Sequence, residues 1–137
     1  VSGAAGPGAA LARLRVLLVD DDALMLDIVG EQLRQLGVVE IATAADGAGA
    51  IAAFDQAGAK PDLVVADLQM PGVDGFQLLT GLAERRYDGG VILLSGQEDR
   101  VLNSASLMAQ FHQLRVLAAL PKPPAPEALA RAIGQLG

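Results

Sequence analysis

The sequence has no cysteine and no tryptophan, one tyrosine, three phenylalanines and one histidine. Without cysteine, disulfides and thiol chemistry are excluded, and a reducing compartment is permitted but not proven. With aromatics at only 3%, the core has to be built from Leu, Val, Ile and Ala. Ten basic residues stand against 16 acidic ones, a net charge of −6, which argues against binding nucleic acid or an anionic membrane. No apolar run approaches the length of a membrane span. No basic segment followed by an apolar core opens the chain, so no secretion signal is visible.

What is present is an apolar chain, 52% hydrophobic over 137 residues, long enough for one domain with a real core. Residues 1–13 are Gly- and Ala-rich and begin at Val, which reads as a flexible leader or cloning remnant; residues 14–137 read as one domain. That domain is organised around residues 63–75, L-V-V-A-D-L-Q-M-P-G-V-D-G. Four apolar residues run without interruption into Asp67, as in a strand buried on both faces. Met70-Pro71-Gly72 breaks the strand, and Asp74 suits the N-cap of a helix starting at Gly75.

The rest of the chain alternates in the same way. Strands are expected at 14–19, 38–43, 91–94 and 116–120. Helices are expected from Ala23 to Gly37, from Gly47 to about Ala57, from Gly75 to near Arg86, over 98–114, and at the C-terminus with Leu129, Ile133 and Leu136 on one face. Strict β-α order with short strands implies a parallel sheet covered on both faces. Polar residues stand at four strand ends: Asp20-Asp21, Asp67, Ser95 and Lys122. A parallel sheet turns all its strand C-termini to one edge. In the doubly wound order 2-1-3-4-5, that of flavodoxin-like proteins, strands one and three adjoin at the switch point. Asp20, Asp21 and Asp67 then meet, with Ser95 and Lys122 on the strands beyond.

Two like charges about 4 Å apart repel by roughly 4 kcal/mol at an effective dielectric near 20. Three such carboxylates must raise a pKa or hold a cation, and an all-oxygen cluster with room for water suits Mg²⁺. Lys122 adds a point positive charge and Ser95 a hydroxyl. A cation, an ammonium and a hydroxyl around one carboxylate are what phosphoryl transfer onto Asp67 needs.

The chain here resembles the receiver domains of two-component response regulators. The resemblance covers roughly residues 15–136 and rests on V-L-L-V-D-D-D at 16–22, D-L-Q-M-P-G-V-D-G at 67–75, L-L-S-G at 93–96 and P-K-P at 121–123. It implies a flavodoxin-like (βα)5 three-layer sandwich in a cytoplasmic bacterial signalling module that is not a conventional enzyme. Asp67 would take a phosphoryl group from a histidine kinase or phosphotransfer protein and lose it slowly. Asp21 and Asp67 would bind Mg²⁺ directly, with the Gln69 backbone carbonyl as a third ligand and Asp20 acting mainly through water. Ser95 would be the switch hydroxyl, Lys122 the phosphoryl-binding lysine, and Lys122-Pro123 a cis peptide. Gln69 and Gln97 flank the site and are expected to tune access of water. Ala119 stands where the family often has an aromatic, so a rotating ring cannot carry the signal from Ser95. The segment S-G-Q-E-D-R-V-L-N-S-A and the later V-L-A-A-L-P-K-P look like receivers joined to cyclic-di-GMP phosphodiesterase output domains.

Plainer readings hold at some positions. Asp22, at a helix start, is expected to cap rather than bind metal, Asp74 is expected only to cap, and His112 to be partly packed or on the surface. Residues 101–114 carry no Asp, Glu, Lys or Arg, which fits either a deeply packed helix or a docking face for an output domain or a second copy. Two other functions compete. One is a receiver-like scaffold that binds partners without phosphorylation; the full acid set and Lys122 count against it. The other is a Mg²⁺-dependent phosphatase with Asp67 as nucleophile; Gln69 occupies the place of its general acid, and no cap insertion is visible.

Overall fold

Five runs of Val, Leu, Ile and Ala become the strands of one sheet. In the computed structural model, which describes residues 12–56, 58, 60–67, 75–95 and 114–136, the elements follow in order. They are β1 (Arg15–Val19), α1 (Ala23–Leu36), β2 (Glu40–Ala44), α2 (Gly47–Gln56), β3 (Leu63–Asp67), α3 (Gly75–Glu84), β4 (Gly90–Ser95), β5 (Arg115–Pro121) and α4 (Pro126–Gly134). The strand order is β2-β1-β3-β4-β5, and every neighbouring pair is parallel. This is the flavodoxin-like sheet expected from the sequence. The segment 98–114 expected to be helical, the turn 68–74 and residues 1–11 lie outside the described residues, apart from Leu114, which is buried.

Side chains on successive strand residues point to opposite faces, and this alternation divides the core in two. Leu17, Val19, Val64 and Leu93 meet Phe54 of α2 and Leu78, Leu79 and Leu82 of α3 on one face. Val16, Leu18, Val65 and Leu94 meet Val29 and Leu33 of α1 and Leu129 and Ile133 of α4 on the other. All five residues of β3 are buried, which is why that strand reads as a continuous apolar run rather than an alternating one. Two of the scarce aromatics, Phe54 and Tyr87, sit together on the α2–α3 face. The rings of Phe54 and Tyr87 pack edge to face at 5.4 Å, and the Tyr87 hydroxyl donates to the Pro61 carbonyl at 2.8 Å.

Helix ends account for the small departures from the expected boundaries. Gly37, at φ 114°, closes α1 in the left-handed conformation that glycine reaches without steric cost. Its N–H bonds back to Arg34, and the Val38 N–H bonds back to Leu33. Val38 is thereby spent on closing the helix, and β2 starts at Glu40, two residues later than the apolar run suggests. At the far end of α3, Arg86 adopts φ 54°, and the Tyr87 N–H returns to the Leu82 carbonyl. The helix therefore stops at Glu84 rather than near Arg86. Strands β4 and β5 extend slightly beyond the runs that announce them. On α4, Leu129 and Ile133 are buried, and Leu136 packs against the same cluster from just beyond the helix. Among the described residues no helix is long and apolar enough to cross a membrane.

Candidate functional site

Register alone brings the acids together. β1 pairs with β3 from Val16↔Leu63 to Val19↔Ala66, so Asp20 and Asp67 follow level with each other at the C-terminal edge. Asp67 is the last residue of β3 and Asp20 the first after β1, and both are fully buried. Asp21, one residue on, is exposed. Carboxylate oxygens of Asp20, Asp21 and Asp67 lie within 4.8 Å of one another.

Lys122, the residue after β5, reaches across to this group. Its Nζ donates to Asp67 Oδ2 at 3.0 Å and stands 3.4 Å from Asp20 Oδ2. The Lys122-Pro123 bond is cis. Ser95 ends β4 with its backbone in register with Pro121, one residue before the lysine. Gln69 and Gln97 lie outside the described residues, as do Asp74 and His112. Asp22 has the other role expected of it: its side chain accepts the Leu24 N–H at 2.9 Å and caps α1. Its own N–H donates to Asp20 Oδ1 at 2.9 Å, so the start of α1 also orients one acid of the cluster.

Among the described residues the charges are unbalanced, with one ammonium set among three carboxylates. Burial pushes the Asp20 carboxyl up from 3.8 to about 6. The Asp22 N–H works against that rise, the Asp67 charge adds to it, and Lys122 again opposes it. For Lys122, burial alone would lower the pKa. The hydrogen bond to Asp67 and the charges of Asp67 and Asp20 outweigh it, and the ammonium is held above its ordinary value. Asp20 Oδ2 is buried and makes no well-directed hydrogen bond, although the Lys122 ammonium stands 3.4 Å away. A buried carboxylate oxygen short of donors, two further carboxylates within reach and one side open at Asp21 fit a hard divalent cation that keeps some of its water. The acidic triad is thus capable of holding a metal.

One contact near the site was not legible in the sequence. Gln32 of α1 donates from Nε2 to the Pro124 carbonyl at 3.0 Å, just beyond Lys122. The Pro-rich run 121–126 shows that this segment is short of backbone donors, but nothing in the sequence says that residue 32 supplies one.

A doubly wound sheet that gathers three acids and a lysine at one edge belongs to the class whose polar site lies outside the carboxyl ends of its strands. Residues 16–134 match the family model described as response regulator receiver domain, and the chain belongs to that family. It is thus a two-component signalling domain rather than a conventional enzyme, and its acidic pocket is of the phosphoacceptor kind. Among curated proteins it is similar to the transcriptional regulatory protein TcrA of Mycobacterium tuberculosis, 32% identical over 90% of this chain and 55% of that protein. The chain therefore spans about half the length of that relative. Among solved structures it is similar to a response regulator receiver domain protein from Clostridium thermocellum, with TM-score 0.76 and 26% identity over 90% of this chain and 93% of that one. It also shares its fold with a chain of the CheX-CheY-BeF3-Mg complex from Borrelia burgdorferi, with TM-score 0.75 and 24% identity over 89% and 87% of the two chains.

Proposed function

We propose that Asp67 accepts a phosphoryl group from a phosphohistidine of a kinase or phosphotransfer protein. A carboxylate oxygen of Asp67 attacks phosphorus, the bond from phosphorus to the imidazole nitrogen breaks, the imidazole leaves and takes up a proton, and an acyl phosphate remains. Asp20, Asp21 and Asp67 would hold Mg²⁺, with the Gln69 carbonyl as a further ligand. The ion supplies positive charge against the phosphoryl oxygens. Lys122 moves its hydrogen bond from the Asp67 carboxylate to a phosphoryl oxygen, and the Ser95 hydroxyl binds another. Gln69 and Gln97 set how readily water reaches the acyl phosphate.

The observation that carries this reading is the position of the Lys122 ammonium, 3.0 Å from one buried carboxylate and 3.4 Å from a second. A group so placed offsets negative charge at the strand edge before and after transfer. The new charge then shifts an equilibrium between surface states, and those states are read by an output domain, a partner or a second copy; a cyclic-di-GMP phosphodiesterase is the output proposed. Incubation with acetyl phosphate and Mg²⁺ tests the acceptor. The expected result is a mass gain of one phosphoryl group, lost on treatment with hydroxylamine and absent in Asp67→Asn. No gain in the unaltered protein would leave a scaffold that works without phosphorylation, and continuous turnover would indicate a phosphatase.

A further inference from the structure

The segment leaving β5 reads Pro121-Lys122-Pro123-Pro124-Ala125-Pro126. Proline has no backbone N–H, so four of these six residues donate nothing. The segment is held at its ends, by the β4–β5 ladder at Pro121 and by the Ala125 carbonyl that accepts the Leu129 N–H, and has few donors between them. Yet it carries Lys122, whose Nζ has to stand between Asp67 and Asp20. An ammonium on a flexible four-carbon stem is placed only as well as its backbone is held.

The brace comes from 92 residues away in the sequence. Gln32 Nε2 donates to the carbonyl of Pro124 at 3.0 Å, and Pro124 is buried. Among the described residues this is the only side-chain hydrogen bond made to residues 123–125. The direction of the amide is fixed by chemistry, because turning it over would set Oε1 against another carbonyl oxygen. Gln32 Oε1 is itself buried with no partner. A methionine would fill the same space without that orphaned acceptor, which is costly to bury. The amide is thus accounted for by the donor it gives to Pro124.

We propose that Gln32 is a positioning residue for this site: by holding the Pro124 carbonyl, it fixes the backbone that aims the Lys122 ammonium at Asp67. The proposal rests on the reading of Asp67 as phosphoacceptor. Gln32 touches neither Asp67 nor the incoming group and acts through Lys122 alone.

The test compares initial rates of Asp67 phosphorylation by acetyl phosphate in Mg²⁺, with Mg²⁺ affinity measured by calorimetry and folding by thermal melts. Gln32→Met is expected to slow phosphorylation by about fivefold to twentyfold, with Mg²⁺ affinity held within about twofold. Gln32→Glu keeps the size but faces Pro124 with an oxygen, and is expected to be as slow. Gln32→Lys restores a donor and is expected to recover most of the rate. In a Lys122→Ala background, Gln32→Met is expected to change the rate by less than about twofold, since the group it aims is gone. An unchanged rate in Gln32→Met and Gln32→Glu overturns the proposal, as does an equal loss with and without Lys122, which is what mere loosening of the fold would give. Failure of the unaltered protein to take a phosphoryl group is a different result: it defeats the acceptor reading and the Gln32 role with it.

Discussion

At the scale of single residues, the site is a problem of crowded charge, and Asp20 bears most of it. Its carboxyl is buried and titrates near 6 in the fold, against 3.8 as the ordinary value. The folded protein therefore binds this proton more tightly than the unfolded chain does. The group costs nothing below about 3.8, and stability falls as pH rises through the window to about 6 and is then level. Asp20→Asn keeps an oxygen for the Asp22 N–H and removes the charge. In metal-free protein it is expected to stabilise the fold by about 2–3 kcal/mol at pH 7.5 and by roughly a third of that at pH 4.5. Urea denaturation of both proteins at the two pH values checks this, and a gain of the same size at both would show that burial of the charge is not the cause. The same substitution is expected to weaken Mg²⁺ binding, which calorimetric titration measures.

At the scale of elements, strand ends and helix starts do the placing, and they differ in how far the sequence reveals them. Strands β1, β3 and β4 were legible because unbroken Val, Leu and Ile runs end in polar residues, and a parallel sheet needs such runs on both of its faces. The convergence of Asp20, Asp21, Asp67 and Lys122 followed once the strand order was assumed. The start of β2 was misplaced because Val38 looks like a strand residue, while its backbone N–H belongs to the closure of α1 through Gly37. The hold of α1 on the segment after Lys122 was hidden for another reason. Apolar periodicity says which face of a helix is buried, not which polar side chain on it finds a carbonyl 92 residues away. Ala119 was legible and its consequence stands: it pairs in register with Leu93 and packs on the α2–α3 face, so β5 has no aromatic ring there to turn. Asp22 offers a test at this scale. As the N-cap of α1, its replacement in Asp22→Ala is expected to cost about 1 kcal/mol of stability. Mg²⁺ affinity is expected to change far less than in Asp21→Asn. Calorimetric titration of the two variants decides it, and an equal loss in both would make Asp22 a ligand rather than a cap.

At the scale of the molecule, the site sits at the end of the sheet that divides the core in two. Asp20 extends β1, Asp67 ends β3 and Lys122 follows β5, so the edge that holds the acids is tied to both core clusters through the strands they share. Unfolding disperses the acids, and a cation bound by all three is lost with them. Any ligand that binds only the folded state stabilises it by mass action, by about 2.7 kcal/mol at a hundredfold excess over its Kd. For a chain of this size that corresponds to a rise in Tm of roughly 5–10 °C. Mg²⁺ at that excess is expected to produce such a rise, chelation to reverse it, and Asp21→Asn to remove most of it. The net charge of −6 requires a control, since any salt relieves general repulsion. Sodium chloride at matched ionic strength is expected to give only a small part of the shift. If sodium chloride matches Mg²⁺, or if Asp21→Asn responds as the unaltered protein does, the three carboxylates do not act as one site, and the edge of the sheet is merely acidic.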